Sequence, residues 1–162
     1  MIFEIQPLEH VGPIQLGMTP DEVRQILSSE FSTRSRSSVM LFRATPQQIS
    51  NADAPERDVF GSLGLVAFYN ESSICHAIKL FEPAEPVFQG VELLYKNSIE
   101  SLIALLNSMH GECEVQNEAV VSYNLRIELG YWEKMTIKDS DSVMMLPPSE
   151  VVVFTKGYRY DW

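Results

Sequence analysis

The chain is poor in the residue types that most often announce a chemistry. It has two cysteines and three histidines in 162 residues. Cys75 and Cys113 are too few for the multi-bridge framework of a small secreted scaffold. Basic residues are also scarce, with Lys+Arg 12 against Asp+Glu 22 and a formal net charge of −10. Bulk electrostatics in so acidic a chain oppose binding to a phosphate backbone, which argues against nucleic acid as the partner. No apolar run approaches the ~20 residues a membrane helix needs. The longest candidate, 99–109, is interrupted by Glu100, Ser101, Asn107 and Ser108. The opening residues Met1-Ile2-Phe3-Glu4-Ile5 have no basic segment and no apolar core, so they do not read as a signal peptide. With the sparse cysteines, this gives a cytoplasmic expectation. No phosphate-cradling glycine loop and no G-x-S-x-G elbow occur.

What is present suffices for a folded core. Hydrophobic residues make up 45 % and aromatics 10 %, too many for intrinsic disorder. The clearest local signal is Gly17-Met18-Thr19-Pro20-Asp21-Glu22-Val23. Thr19 is an N-cap, Pro20 fits the first helical position, and Glu22 completes a capping box. A helix is expected over 20–28, with Met18, Val23, Ile26 and Leu27 as its apolar face. A second is expected after Asn97 or Ser98, with Glu100 in the box and Ile99, Leu102, Ile103, Leu105 and Leu106 inward. Gly111 would close it. Alternation predicts strands at Phe3 and Ile5, 39–42, 59–60, 63–69, 74–81, 120–123, 125–131, 134–137 and 151–154. Asn70-Glu71-Ser72-Ser73 reads as a hairpin turn, and 46–55 as a loop. Within 74–81, Ile74, His76, Ile78 and Leu80 are expected on one face and Cys75, Ala77, Lys79 and Phe81 on the other. Pro83 and Pro86 mark a connection near mid-chain.

Both parts of the chain thus run from a capped helix into several strands. Thr19 overlays Ser98, and Val23, Ile26 and Leu27 overlay Leu102, Leu105 and Leu106. The spacing suggests two related units, 1–82 and 83–162, in a single structural unit. The fold expected is α+β: two helix-plus-antiparallel-strand halves forming one compact unit, with helices on one face of the sheet.

The segment Ile14-Gln15-Leu16-Gly17-Met18-Thr19-Pro20-Asp21-Glu22-Val23 resembles the opening of the repeat in the β-lactamase-inhibitor-protein family. It is also similar to the related outer-membrane assembly lipoproteins of the small-protein-A type. The resemblance covers about ten residues, and Lys96-Asn97-Ser98 stands where a second copy would begin. It implies a fold that binds other proteins through a sheet face and loops. No functional residue carries over, because no inhibitory loop matches.

Candidate chemistry is sparse. His110 and Cys113 have an H-x₂-C spacing, but Cys75 and His76 are adjacent on a strand and point to opposite faces, so the four do not readily converge on zinc. Cys113, between Glu112 and Glu114, should be a poor thiolate. No catalytic residue, cofactor or metal is therefore assigned.

The charge is unevenly spread. Residues 1–81 carry 6 basic and 9 acidic residues, and 82–162 carry 6 basic and 13 acidic. Glu112, Glu114, Glu118, Glu128, Glu133, Asp139 and Asp141 fall in the second part, with Tyr123, Tyr131, Trp132, Tyr158, Tyr160 and Trp162 among or after them. Carboxylates steer a basic partner and aromatics anchor it. The partner-binding residues expected are Glu128, Tyr131, Trp132, Glu133, Asp139, Asp141, Tyr158 and Tyr160. The function expected is a non-catalytic acidic protein-binding module, most concretely a cytosolic inhibitor or immunity-type protein for a basic partner enzyme. The alternatives are a soluble assembly module, homodimeric or not, and a metal-dependent enzyme.

Overall fold

The structure, a computed structural model, describes residues 1–35, 55–116, 119–130 and 146–156. Among these, the elements run β1 (Ile2–Gln6), β2 (His10–Val11), β3 (Ile14–Gln15), α1 (Pro20–Leu27), β4 (Ser32–Ser35), β5 (Pro55–Phe60), a 3₁₀ turn (Gly61–Leu63), β6 (Leu65–Tyr69), β7 (Cys75–Phe81), β8 (Glu85–Phe88), β9 (Val91–Glu92), α2 (Ile99–Ser108), β10 (Cys113–Val115), β11 (Ala119–Ser122), β12 (Ile127–Gly130) and β13 (Glu150–Phe154).

The strands form two sheets. The smaller has the order β3-β2-β1-β8-β9, with β1 parallel to β8 and the other neighbours antiparallel. The larger is antiparallel throughout, in the order β10-β11-β12-β13-β7-β6-β5-β4. Its two sets of four strands, β4–β7 after α1 and β10–β13 after α2, meet where β7 pairs with β13.

One apolar cluster joins both sheets and both helices. Phe3, Ile5, Val11 and Ile14 enter it from the small sheet, and Val23 from α1. Ile99, Leu102 and Leu106 enter from α2, and the large sheet adds Phe60, Leu65, Ile78, Leu80, Ile127, Leu129, Val151 and Val153. A second cluster consists of Val66, Phe68, Ala77, Ala119, Val121, Val152 and Phe154. Its members alternate along their strands with those of the first cluster, as the period of two requires, so they lie on the opposite face of the large sheet.

The Gly-Met-Thr segment does structural work. Thr19 caps α1 with a complete capping box: its backbone N–H donates to Glu22 Oε2 at 2.8 Å, and the Glu22 N–H donates to its hydroxyl at 3.4 Å. These bonds from Thr19 hold the Glu22 carboxyl below its usual range. Gly17 adopts φ 103°, open to glycine and strained for other residues. Its N–H donates to Cys75 O, and the Cys75 N–H donates to Met18 O. The segment is thereby tied to the start of β7.

Several expectations are corrected. The expected α+β arrangement of two helix-plus-strand halves, with helices on one face of a sheet, does not form. The chain is mostly β, with two sheets and, among the described residues, two helices of 8 and 10 residues. The small sheet has two causes of invisibility to a local reading. β2, β3 and β9 are two residues long and show no period, and β1 joins β8 across some eighty residues of sequence. The supposed connection at Pro86 is therefore a strand, paired with Phe3.

Other corrections are local. Ile26 is exposed rather than inward. Ser98, not Asn97, caps α2, and it accepts from the Ser101 N–H rather than boxing with Glu100. Cys75 joins Ile78 and Leu80 in the first cluster, because a bulge between Phe68 and Tyr69 shifts the register and pairs Tyr69 with Cys75. The strands expected at 39–42 and 134–137 lie outside the described residues, as does 46–54 of the loop.

Candidate functional site

The most extensively bonded charged group lies inside the fold. Asp58, on β5, is fully buried. Arg24 of α1 grips it with two donors, Nε at 2.8 Å and Nη2 at 3.1 Å. The Thr33 hydroxyl donates at 2.6 Å and the Tyr69 hydroxyl at 2.9 Å. The Arg24 guanidinium also lies 4.9 Å from the centre of the Phe31 ring. Asp58 holds Arg24 more basic than usual. Burial first, and then the Asp58 charge and hydrogen bond, push the Tyr69 hydroxyl far above its ordinary range. A carboxylate with four donors around it is a clamp between α1, β4, β5 and β6, not a poised base. Nothing local in the sequence marks it, since the partners stand 11, 25 and 34 positions away.

A second charged group lies on the large sheet. Registers align one row across all eight strands: Ser32, Val59, Val66, Lys79, Val152, Glu128, Val121 and Glu114. The Lys79 ammonium donates to Glu150 Oε2 at 2.9 Å, both side chains being largely buried. Glu150 and Glu128 converge over Gly130. A methyl group at that glycine would lie 3.1 Å from Glu150 Oε1 and 3.7 Å from Glu128 Oε1. Of the eight residues expected to bind a partner, Glu128 is the one within the described residues. It is only 8 % exposed, so it offers little contact area of its own. Tyr131, Trp132, Glu133, Asp139, Asp141, Tyr158 and Tyr160 lie outside the described residues.

Exposed acid and apolar groups meet at one end of the large sheet. Among the described strands of this sheet, β10 is terminal. Glu112 and Glu114 are exposed, as are Met109, Val115 and Tyr123. The Tyr123 hydroxyl accepts from Gln116 Nε2 at 2.9 Å. This end is shaped by the close of α2. The His110 N–H donates to Asn107 O and the Gly111 N–H to Leu106 O, the two bonds of a Schellman motif. The left-handed position falls to His110, with φ 60°, rather than to glycine. Gly111 is needed for space instead, because a side chain there would sit 2.6 Å from Leu106 O. The Ser122 hydroxyl donates to Gly111 O and accepts from the Leu125 N–H, fixing the loop to β11.

Other candidates are weaker. Among the described residues, no three His, Cys, Asp or Glu side chains gather as a metal site requires. Cys75 and Cys113 are free thiols. Burial pushes the Cys75 thiol up to about 12. Cys113 is also raised, and the cause is partial burial rather than the neighbouring glutamates. An open depression of about 390 Å³ beside Glu4, Gln6, Glu9 and Gln89 is polar and unenclosed. No described helix is long and apolar enough to cross a membrane. No family model, curated protein or solved structure matches the chain.

Proposed function

We propose that this chain is a non-catalytic acidic protein-binding module, most concretely an inhibitor or immunity-type protein that neutralises a basic partner enzyme. The observation that carries it is the excess of carboxylates in residues 82–162, of which Glu112 and Glu114 stand exposed beside Val115 and Tyr123. Carboxylates around exposed apolar anchors attract a basic surface over distance and hold it by desolvated contact. The resemblance of 14–23 to the inhibitor repeat points the same way. The charged clusters inside the fold suit a scaffold, because Asp58 is saturated by donors and the Cys75 thiol is held protonated.

The test is affinity capture from the native host at low salt, followed by assay of each captured basic enzyme with and without the purified chain. A stoichiometric loss of one enzyme's activity is expected. Retention of no basic protein, or of basic proteins whose activities are unchanged, would remove the inhibitor reading.

A further inference from the structure

We propose that the outer edge of β10 receives an extended Lys- or Arg-bearing segment of the partner as an added strand. This rests on the protein-binding reading and assigns it a site. The strand's phase fixes which backbone groups face outward. Cys113, Glu114 and Val115 pair with Ser122, Val121 and Val120. The Gln116 N–H donates inward, to Ala119 O at 2.8 Å. In an antiparallel ladder, bonded and non-bonded pairs alternate. Glu114 therefore also turns its backbone toward β11, while Cys113 and Val115 turn theirs away. The Cys113 N–H confirms this phase by donating to Asn107 Oδ1 at 3.0 Å. The Cys113 carbonyl and the Val115 N–H and carbonyl then remain directed outward, an acceptor–donor–acceptor set that matches the complementary groups of an incoming strand.

Charge selects the occupant. Glu112 precedes this set, Glu114 stands between its two residues, and both are exposed. Two copies of the chain meeting edge to edge would bring these glutamates together, and like charges opposed across a ladder are destabilising. A basic strand reverses the sign of that term. Val115 gives it apolar area on one face of the sheet. On the other face, Glu114 begins the row that continues through Val121 to Glu128.

The probe is a blocked peptide of alternating lysine and valine, with a glutamate–valine peptide as control, titrated into the full chain and followed by backbone amide NMR and hydrogen exchange. The lysine peptide is expected to protect the Val115 amide and to bind more weakly as ionic strength rises from about 0.05 M to about 0.5 M. Val115→Pro, which removes the outward donor at an edge position that tolerates proline, should weaken binding at least about tenfold. The exposed double variant Glu112→Lys/Glu114→Lys should instead prefer the glutamate peptide, and it tests the site even if Val115→Pro disturbs the strand. Absence of lysine-peptide binding, or binding without Val115 protection and unchanged by both variants, overturns the proposal. If the variants still inhibit a captured enzyme as the parent does, the edge site fails while the protein-binding reading stands. If neither peptide nor enzyme is bound, both fail.

Discussion

Asp58 shows how one residue's surroundings decide its role. A carboxylate removed from water is costly unless donors replace its hydration, and here Arg24, Thr33 and Tyr69 supply them. Losing the cation should therefore cost more than losing a neutral donor. Arg24→Met leaves a buried charge uncompensated and is expected to destabilise by about 3–5 kcal/mol. Tyr69→Phe removes one hydrogen bond and should cost about 1–3 kcal/mol. Urea unfolding of the two variants checks the order, and equal effects would show that the clamp contributes no more than packing. None of this was legible locally, since Asp58 sits in Pro55–Phe60 with no motif around it. The Thr19–Glu22 box was legible, because all its members lie within four residues.

At the scale of the element, the two helix ends were read with unequal success. The starts followed from cap chemistry, which is sequence-local. The end of α2 did not, because glycine after a helix has two uses, a left-handed backbone or an absent side chain. His110 holds the left-handed position, and Gly111 makes room for Leu106 O. Opposite effects should follow. His110→Gly relieves backbone strain and is expected to stabilise by about 0.5–1 kcal/mol. Gly111→Ala crowds a backbone oxygen and should destabilise by about 1–3 kcal/mol. Thermal unfolding distinguishes them, with midpoints moving in opposite directions, and a stabilised Gly111→Ala would contradict the geometry. The face of β7 was misjudged for a related reason. A strict period of two places Cys75 with Ala77, but the bulge at Phe68/Tyr69 moves it into the first apolar cluster.

The whole molecule is a sheet assembly in which distant parts of the chain are neighbours. β1 lies beside β8, and β7 beside β13. Cys75, at the start of β7, belongs to the apolar cluster that joins both sheets. It is inaccessible to solvent and its thiol is pushed up to about 12. A thiol reagent near about pH 8 should modify Cys113 in the native protein and reach Cys75 only through global unfolding. The Cys75 rate should then rise with urea as the global stability falls. Equal native rates for both thiols would mean that the core opens locally at β7. The charge imbalance belongs to this scale as well. Its total is a property of composition, while the exposure of Glu112 and Glu114 and the burial of Glu128 follow from where β10 and β12 lie in the large sheet.

The sequence by itself determined the start of each helix, the β6–β7 hairpin, the apolar residues of α2 and the acidic excess. These are composition or chemistry acting within a few residues, so a linear reading reaches them. Only the tertiary structure decided that the chain is mostly β in two sheets. It also decided that Asp58 is clamped and Glu128 buried, and that β10 forms an acidic edge. Each of these depends on pairing between segments tens of residues apart, where register and burial are set by the whole core rather than by local preference.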